Sequence, residues 1–468
     1  MNLFENLPLP PVYYHGREAS YWREDDRGGW IKINEGAVRL FVADNGYAKK
    51  AAEEANAEAD DCLLRIQSGQ NVVYAAPLAG YASGDYEMNG KLVLVTESPK
   101  FLESKAGEWP MLNRLFAGMF VDGAIDQRPF FYGWIKYAML TFRSGVWKAS
   151  QMLALAGDAG SGKSLTQNLL TVMFGGRSAK PYQFMKGGTE FNSHLFAGEH
   201  LVLEDESESV DPRSRRHFAA VMKTLLCARD QSCHGKHREA ITLNPLWRMS
   251  VSLNDDPERL LVLPPFDDDV RDKIIALKVA KHEMPMPTGT PDEAELFWNT
   301  LLDELPAFLA YLETWNVPAD LADARYGVRA FQHPEIVEKL NATNSEDRLL
   351  ELVDLVMFRG QDEPRPWSGS AAELERRLTD DQCAYRTEAK RLLGWNAACG
   401  AFLGRLAKCQ REFVAGRVTS RTVRGRTVWT INAPDNDEPN EPRWGVPCQE
   451  PAEPPQLGQD VRASLGLN

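Results

Sequence analysis

The chain has no apolar run near the roughly 18 residues that a membrane-crossing helix needs, which excludes an evident transmembrane segment. Its start, Met1–Glu5, shows no basic stretch leading into an apolar one, so no secretory leader is expected. Cysteine is sparse: seven residues, odd in number and scattered along the chain, which suits a reducing cytoplasm better than a secreted disulfide framework. Positive charge is in deficit, with 53 Lys and Arg against 66 Asp and Glu and a formal net charge of −13. That balance argues against a protein coated evenly by nucleic acid, because affinity for phosphate rests on Lys and Arg. A local basic patch survives such averaging. Internal repeats are also missing.

What is present is ordinary globular composition, 43% hydrophobic, 25% charged and 10% aromatic, so wholesale disorder and fibrous classes are excluded. At about 100–200 residues per domain, 468 residues imply two to four domains. The expected organisation is a mixed α+β region over 1–140, an α/β core with a parallel sheet over 141–285, a helical linker or lid over 286–362, a basic module over 363–432 and an acidic, Pro-rich disordered tail over 433–468. Within the first region, Tyr21–Trp22 and Gly29–Ile33 read as a hairpin, Ala48–Cys62 as a helix, and Val72–Tyr74 and Leu92–Val95 as strands. Gly133–Phe142, 293–315 and Ser345–Met357 read as helices.

The clearest chemistry lies at Gly157-Asp158-Ala159-Gly160-Ser161-Gly162-Lys163-Ser164, a G-x-x-x-x-G-K-S motif between the apolar run Met152–Ala156 and the helical stretch Leu165–Phe174. Glycines let the backbone wrap phosphates and aim several N–H groups inward. Lys163 would bridge the β- and γ-phosphates of ATP and the Ser164 hydroxyl would hold Mg²⁺, with Leu165 opening the helix beside the nucleotide. About 40 residues on, His200–Leu203 is an apolar strand ending in Glu204, Asp205 and Glu206. Asp205 is the expected second Mg²⁺ residue, and Glu206 or Glu204 would polarise the attacking water, unless this run is a plain solvated turn. Arg248–Leu253 is a further strand, and Asn254 at its end could bond the γ-phosphate or the water. Arg259, with Arg271 as second choice, is the candidate for a guanidinium offered to a neighbouring subunit's nucleotide; pairing with Asp267–Asp269 is the alternative.

With these motifs in place, residues 150–280 resemble the superfamily 3 helicases, a class of AAA+ ATPases found in replication proteins of small DNA viruses, phages and mobile elements. The likeness rests on the phosphate loop, the acidic strand, Asn254 and the Arg259–Phe266 stretch. In that family a hairpin before the sensor asparagine carries a Lys-His pair into a central channel, and Lys236 and His237 match the pair. Thr189–Asn192 and Arg259–Phe266 look similar to the helicase part of phage and poxvirus-type primase-helicases. The resemblance implies an ATP-dependent helicase or translocase, a hexameric homo-oligomer, single- and double-stranded DNA as partners, a separate primase or replication protein alongside, and service to a phage, plasmid or mobile element. Departures are plain: the first 150 residues are unlike a primase, and no His-hydrophobe-His pair with a following Tyr signals a nicking endonuclease. Cys227, Cys233, His234 and His237 cluster in sequence, but their spacing matches no familiar zinc site.

The segment 363–432 opposes the chain's overall sign. Helices over Ala371–Leu378, Thr387–Leu393 and Cys399–Lys408, then a hairpin over Val418–Ile431, describe a winged helix. Arg405 would project from the recognition helix, and Arg421, Arg424 and Arg426 at the wing would meet phosphate or the minor groove. Two other readings stay open: an AAA+ ATPase that remodels proteins or acts in defence, and a DNA-binding regulator that ATP controls without unwinding.

Overall fold

The structure is a computed structural model and describes residues 9–47, 53–204, 212–256, 259–264, 266, 268–343, 345–358, 365–394, 397–408, 416–423 and 425–434. Asp205, Glu206, Arg424 and the expected tail from 435 onward lie outside the described residues.

The central sheet is five-stranded, and each hydrogen-bonded pair in it runs parallel. Across it the order is Ser178–Ala179, His200–Glu204, Arg248–Leu253, Met152–Gly157, Ile274–Val279. Every residue of Met152–Gly157 and Arg248–Leu253 is buried, as expected of strands covered on both faces. Alternation divides them between two cores. Met152, Ala154 and Ala156 pack with Met249, Val251 and Leu201, whereas Leu153 and Leu155 face Ile275, Leu277 and the aromatic side chains of three covering helices. Those helices are Pro110–Phe120, Arg128–Ser144 and Pro291–Thr314, and Phe116, Phe131, Tyr132 and Phe308 interlock among them.

Pro291–Thr314 starts where its sequence dictates: Thr290 accepts from the Glu293 amide at 3.3 Å, and the Glu293 carboxylate accepts from the Thr290 amide at 3.0 Å, a reciprocal cap. Further along, the Glu304 carboxylate accepts from the amides of Met111 and Leu112 at 3.1 and 2.8 Å, satisfying the start of the Pro110–Phe120 helix. Sequence reading missed that helix, although proline at its first position and apolar residues at 112, 115, 116, 119 and 120 mark it.

Ahead of the core, the expected hairpin forms from Ser20–Glu24 and Trp30–Ile33, joined by Val12–His15 into one small sheet. Val72–Ala76, Lys91–Val95 and Gly84–Met88 make a second. The helix expected over Ala48–Cys62 runs Glu53–Gly69, and that expected over Gly133–Phe142 extends to Arg128–Ser144. Toward the C-terminus, Ala371–Thr379, Arg386–Leu392 and Ala398–Leu406 pack around Leu374, Phe402, Leu403 and Leu406, with a three-stranded antiparallel sheet of Trp367–Gly369, Arg426–Ile431 and Val418–Val423. The described chain has no helix long and apolar enough to cross a membrane.

One close approach locks the phosphate loop to the sheet. A Cβ on Gly157 would stand 2.2 Å from the Val279 carbonyl oxygen, main chain against main chain. Gly157→Ala should therefore lower the thermal unfolding midpoint, at a cost of about 1–3 kcal/mol or more since neither wall can yield; an unchanged midpoint would refute this account.

Candidate functional site: the phosphate loop and its surroundings

The loop follows the last residue of a buried strand and ends in a helix, Lys163–Met173, whose preceding residue Gly162 takes φ +91°, a left-handed conformation that favours glycine. Lys163 is 8% exposed. Its ammonium donates to the main-chain carbonyls of Gly157 at 2.7 Å and Asp158 at 2.6 Å, and lies 3.4 Å from Asn254 Oδ1. Two residues 91 positions apart thus meet at the sheet's carboxyl edge. The parallel register brings them there: Leu253 lies opposite Ala156, and Glu204 opposite Ser252. Ser161 Oγ is buried and has no hydrogen-bond partner, and Ser164 at the helix start is exposed. A glycine-rich turn into a helix, an ammonium resting on carbonyls and an unsatisfied hydroxyl fit a polyphosphate. For the metal, Ser164 Oγ is exposed and hard-oxygen in character, which suits Mg²⁺.

Glu204 closes the acidic strand, and Lys180 Nζ lies 2.8 Å from its Oε2 in a largely exposed pair. Its neighbours Asp205 and Glu206 are outside the described residues. Arg259 opens a short 3₁₀ turn, Arg259–Val262, half-buried, with Leu260 and Leu263 buried beneath. Arg271 donates to Gln332 Oε1 at 3.3 Å.

A buried polar chain that sequence reading did not anticipate runs under the loop. Gln167 Nε2 donates to Ser250 Oγ at 2.8 Å and to the Leu203 carbonyl at 3.2 Å. Ser250 Oγ also lies 2.8 Å from His200 Nε2, and His200 Nδ1 lies 2.7 Å from Thr171 Oγ1. Gln167, Ser250 and His200 are each 0% exposed. The chain ties the loop helix to the strands that end in Glu204 and Asn254. Each bond contributes only about 1 kcal/mol net, but leaving one buried partner bare costs about 1–3 kcal/mol, so the set holds its geometry together. Burial pulls the His200 imidazole down to about 3 from its ordinary value of 6.5, so the ring is neutral near pH 7. Polar residues inside otherwise apolar strands and a loop helix were the available sequence signal.

The predicted Lys-His hairpin is present as Gln231–Cys233 paired with Ile241–Leu243. Lys236 and His237 are exposed at its tip, and His237 takes φ +59°. Two neighbours hold that tip. Asn192 accepts from the His234 amide at 2.7 Å and donates to the Ser232 carbonyl at 2.8 Å, with Phe191 edge-on to the His234 ring at 5.2 Å. From the N-terminal sheet, Arg17 reaches the Glu239 carboxylate at 3.2 Å and its carbonyl at 2.8 Å, while Glu18 pairs with Arg238.

The cysteine–histidine cluster does not assemble. The Cys227 thiol contacts the Tyr326 hydroxyl at 3.7 Å, and Cys233 is buried with its thiol pushed up to about 12 by desolvation. Among the described residues, the group whose atoms converge as metal ligands could is Asp122, His333 and Glu335. There Lys278 Nζ already bridges Asp122 and Glu335 at 2.8 and 2.7 Å, so an ion-pair network occupies the place. In the basic module, Arg405 is half-buried, stacks 5.1 Å from the Phe402 ring centroid and pairs with Glu346 at 2.6 Å. Arg421 and Arg426 are exposed on the hairpin.

A cavity of about 360 Å³ adjoins the loop, lined by Gly160–Leu165 together with Met284, Thr288, Ala294, Phe297 and Trp298. Sequence reading assigned none of the last five to the site.

No protein-family model matches the chain, and no curated protein does. Among solved structures the chain is similar to the apo C-terminal region of NrS-1. One such structure gives a TM-score of 0.51 at 12% identity, covering 90% of this chain and 96% of that one. A second gives 0.51 at 13% identity, covering 90% and 95%. The SCCmec type IV Cch helicase aligns far more loosely, at a TM-score of 0.29 and 9% identity over 86% and 73% of the two chains, a degree of likeness that says nothing about activity. What is shared with the NrS-1 region is the fold, a mixed α/β architecture around the five-stranded parallel sheet.

Protonation of His200 in the folded state is disfavoured, so the unfolded chain binds the extra proton below about pH 6.5 and stability falls as pH drops from there toward 3, by up to about 1.4 kcal/mol per unit from this group. A His200→Gln variant should show a shallower decline of melting temperature between pH 6.5 and 4 than the unchanged protein; parallel curves would discount His200.

Proposed function

We propose that the chain is an ATP-dependent DNA helicase or translocase of the superfamily 3, AAA+ type, acting as a ring of identical subunits, six by the family likeness, in replication of a phage, plasmid or other mobile element in the cytoplasm. The observation that carries the reading is the Lys163 ammonium set between the loop carbonyls and Asn254. On arrival of nucleotide, Lys163 exchanges the Gly157 and Asp158 carbonyls for the β- and γ-phosphate oxygens, and the loop amides take the remaining charge. Ser164 and Asp205 would hold Mg²⁺, which supplies charge neutralisation to the phosphates. Glu204 or Glu206 polarises the attacking water, Asn254 orients it against the γ-phosphate, and Arg259 of an adjoining copy stabilises the charge that builds there.

Hydrolysis reaches DNA through the hairpin. Lys236 and His237 stand exposed on a tip whose strands connect to the sheet, which supports their role as grips on a single strand. The basic module serves as a winged helix on duplex DNA, with Arg421, Arg424 and Arg426 at the wing and Arg405 from the third helix, freed from Glu346. A separate primase or replication protein completes the machinery.

A forked DNA substrate, ATP and Mg²⁺ test this directly. Lys163→Ala should abolish hydrolysis, and Lys236→Ala should keep ATP binding yet lose strand displacement. Replacing Arg421, Arg424 and Arg426 together by Ala should weaken duplex binding and flatten its salt dependence. Hydrolysis indifferent to DNA, with no strand displaced, would sink the motor reading in favour of ATP-driven remodelling or regulation.

A further inference from the structure

We propose that the wall formed by Met284, Thr288 and Trp298 is the nucleobase platform, and that it takes adenine and guanine alike while favouring purines over pyrimidines. The inference rests on the nucleoside triphosphate reading above and extends it to the part of the ligand that no motif addresses. Lys163 and Ser164 share one cavity of about 360 Å³ with Leu165, next along the helix, and with this apolar wall, so a nucleotide whose phosphates sit on the loop has these side chains available to its base. A volume near the lower end of small-molecule sites, about 300–1,000 Å³, suits a nucleoside rather than a larger group.

The wall is built before any ligand arrives. Ala294, Phe297 and Trp298 fall at helical spacings of three and four, hence on one face of Pro291–Thr314. The reciprocal Thr290–Glu293 cap and the Glu304 bonds to Met111 and Leu112 hold that helix against the core. Phe297 is buried as support, and Trp298, half-exposed, packs on the same core while lining the cavity. Met284 reaches the loop itself: its methyl carbon lies 3.5 Å from where a Cβ on Gly162 would sit.

The selectivity follows from the side chains on that wall. Met284, Ala294 and Phe297 offer no hydrogen bond, the Trp298 indole offers one donor, and Thr288 offers a hydroxyl. A hydroxyl both donates and accepts, so it meets the 6-amino group of adenine or the 6-carbonyl of guanine equally. The wall carries no carboxylate or amide side chain to read the base edge. Strong rejection of a near-isostere requires buried polar groups left unpaired by the wrong ligand, and this wall has almost none to leave. What remains is stacking area, where a two-ring base exceeds a one-ring base.

Calorimetric titration of the full chain with ADP, GDP, CDP and inorganic tripolyphosphate, each with Mg²⁺, tests the assignment. ADP and GDP should bind within about fivefold of each other, and CDP several-fold more weakly. Trp298→Ala should weaken ADP and GDP by the same factor, at least about fivefold at the low end of base stacking, and leave tripolyphosphate binding unchanged. Trp298→Phe should keep most of the affinity. The tripolyphosphate arm reports that the loop and fold are intact in both variants. An ADP preference over GDP beyond about fiftyfold, or ADP affinity unmoved in Trp298→Ala, would overturn the platform while leaving the phosphate loop standing. Failure of the unchanged protein to bind any of the four ligands would overturn both.

Discussion

Parallel register is the constraint on which the rest depends. Three neighbouring strands, His200–Glu204, Arg248–Leu253 and Met152–Gly157, run in one direction, so their carboxyl ends finish together on one edge. That edge collects the phosphate loop, Glu204 and Asn254, and in open parallel sheets it is the edge where ligands bind. Parallel strands must be covered on both faces, which is why Met152–Ala156 reads as an unbroken apolar run and why aromatic helices are needed on one side. The Gly157–Val279 approach is the same constraint seen at one atom: the loop leaves the sheet where no side chain could fit.

Burying polar groups inside that sheet is costly unless they are paired, and the Gln167–Ser250–His200–Thr171 chain pairs Gln167 Nε2, the Ser250 hydroxyl and both nitrogens of a neutral imidazole, leaving Gln167 Oε1 buried without a hydrogen-bond partner. Its members sit on the loop helix and on two strands, so the loop cannot shift relative to the strand ends without breaking a bond that has no water to replace it. That buried network contrasts with the exposed tip of the Gln231–Leu243 hairpin. There the tip is held by side chains from two other segments, Asn192 and the Arg17–Glu18 turn, through hydrogen bonds and exposed ion pairs that are individually worth about 1 kcal/mol or less. The loop helix is thus fixed by buried polar bonds and the hairpin tip by more exposed ones, a difference that the proposed nucleotide-driven motor would use.

The net charge of −13 fits this arrangement. The largest acidic surplus lies in residues 286–362, with 15 Asp and Glu against 5 Lys and Arg, while Lys236, His237, Arg421 and Arg426 lie exposed on two hairpins. An acidic total and a few placed cations are compatible because binding to phosphate depends on local rather than summed charge.

Local chemistry made part of this protein legible from residues alone. The G-x-x-x-x-G-K-S loop, the helices expected over 293–315 and Ala371–Leu378, and the hairpin over Val418–Ile431 depend on neighbours a few positions apart, and the folded chain contains all of these elements. Long-range pairing is different in kind. That Lys163 would rest on Asn254, that His200 would be linked through Ser250 to Gln167, and that Met284 and Trp298 would wall the loop could not be read from spacing, because each pair is chosen by sheet order and helix docking. The four clustered Cys and His residues agree with this: their spacing matched no familiar zinc site, and the fold turned Cys233 inward and Cys227 toward Tyr326. Tertiary structure alone decided those meetings, since side chains find partners in space only after the apolar runs have settled which strand lies beside which.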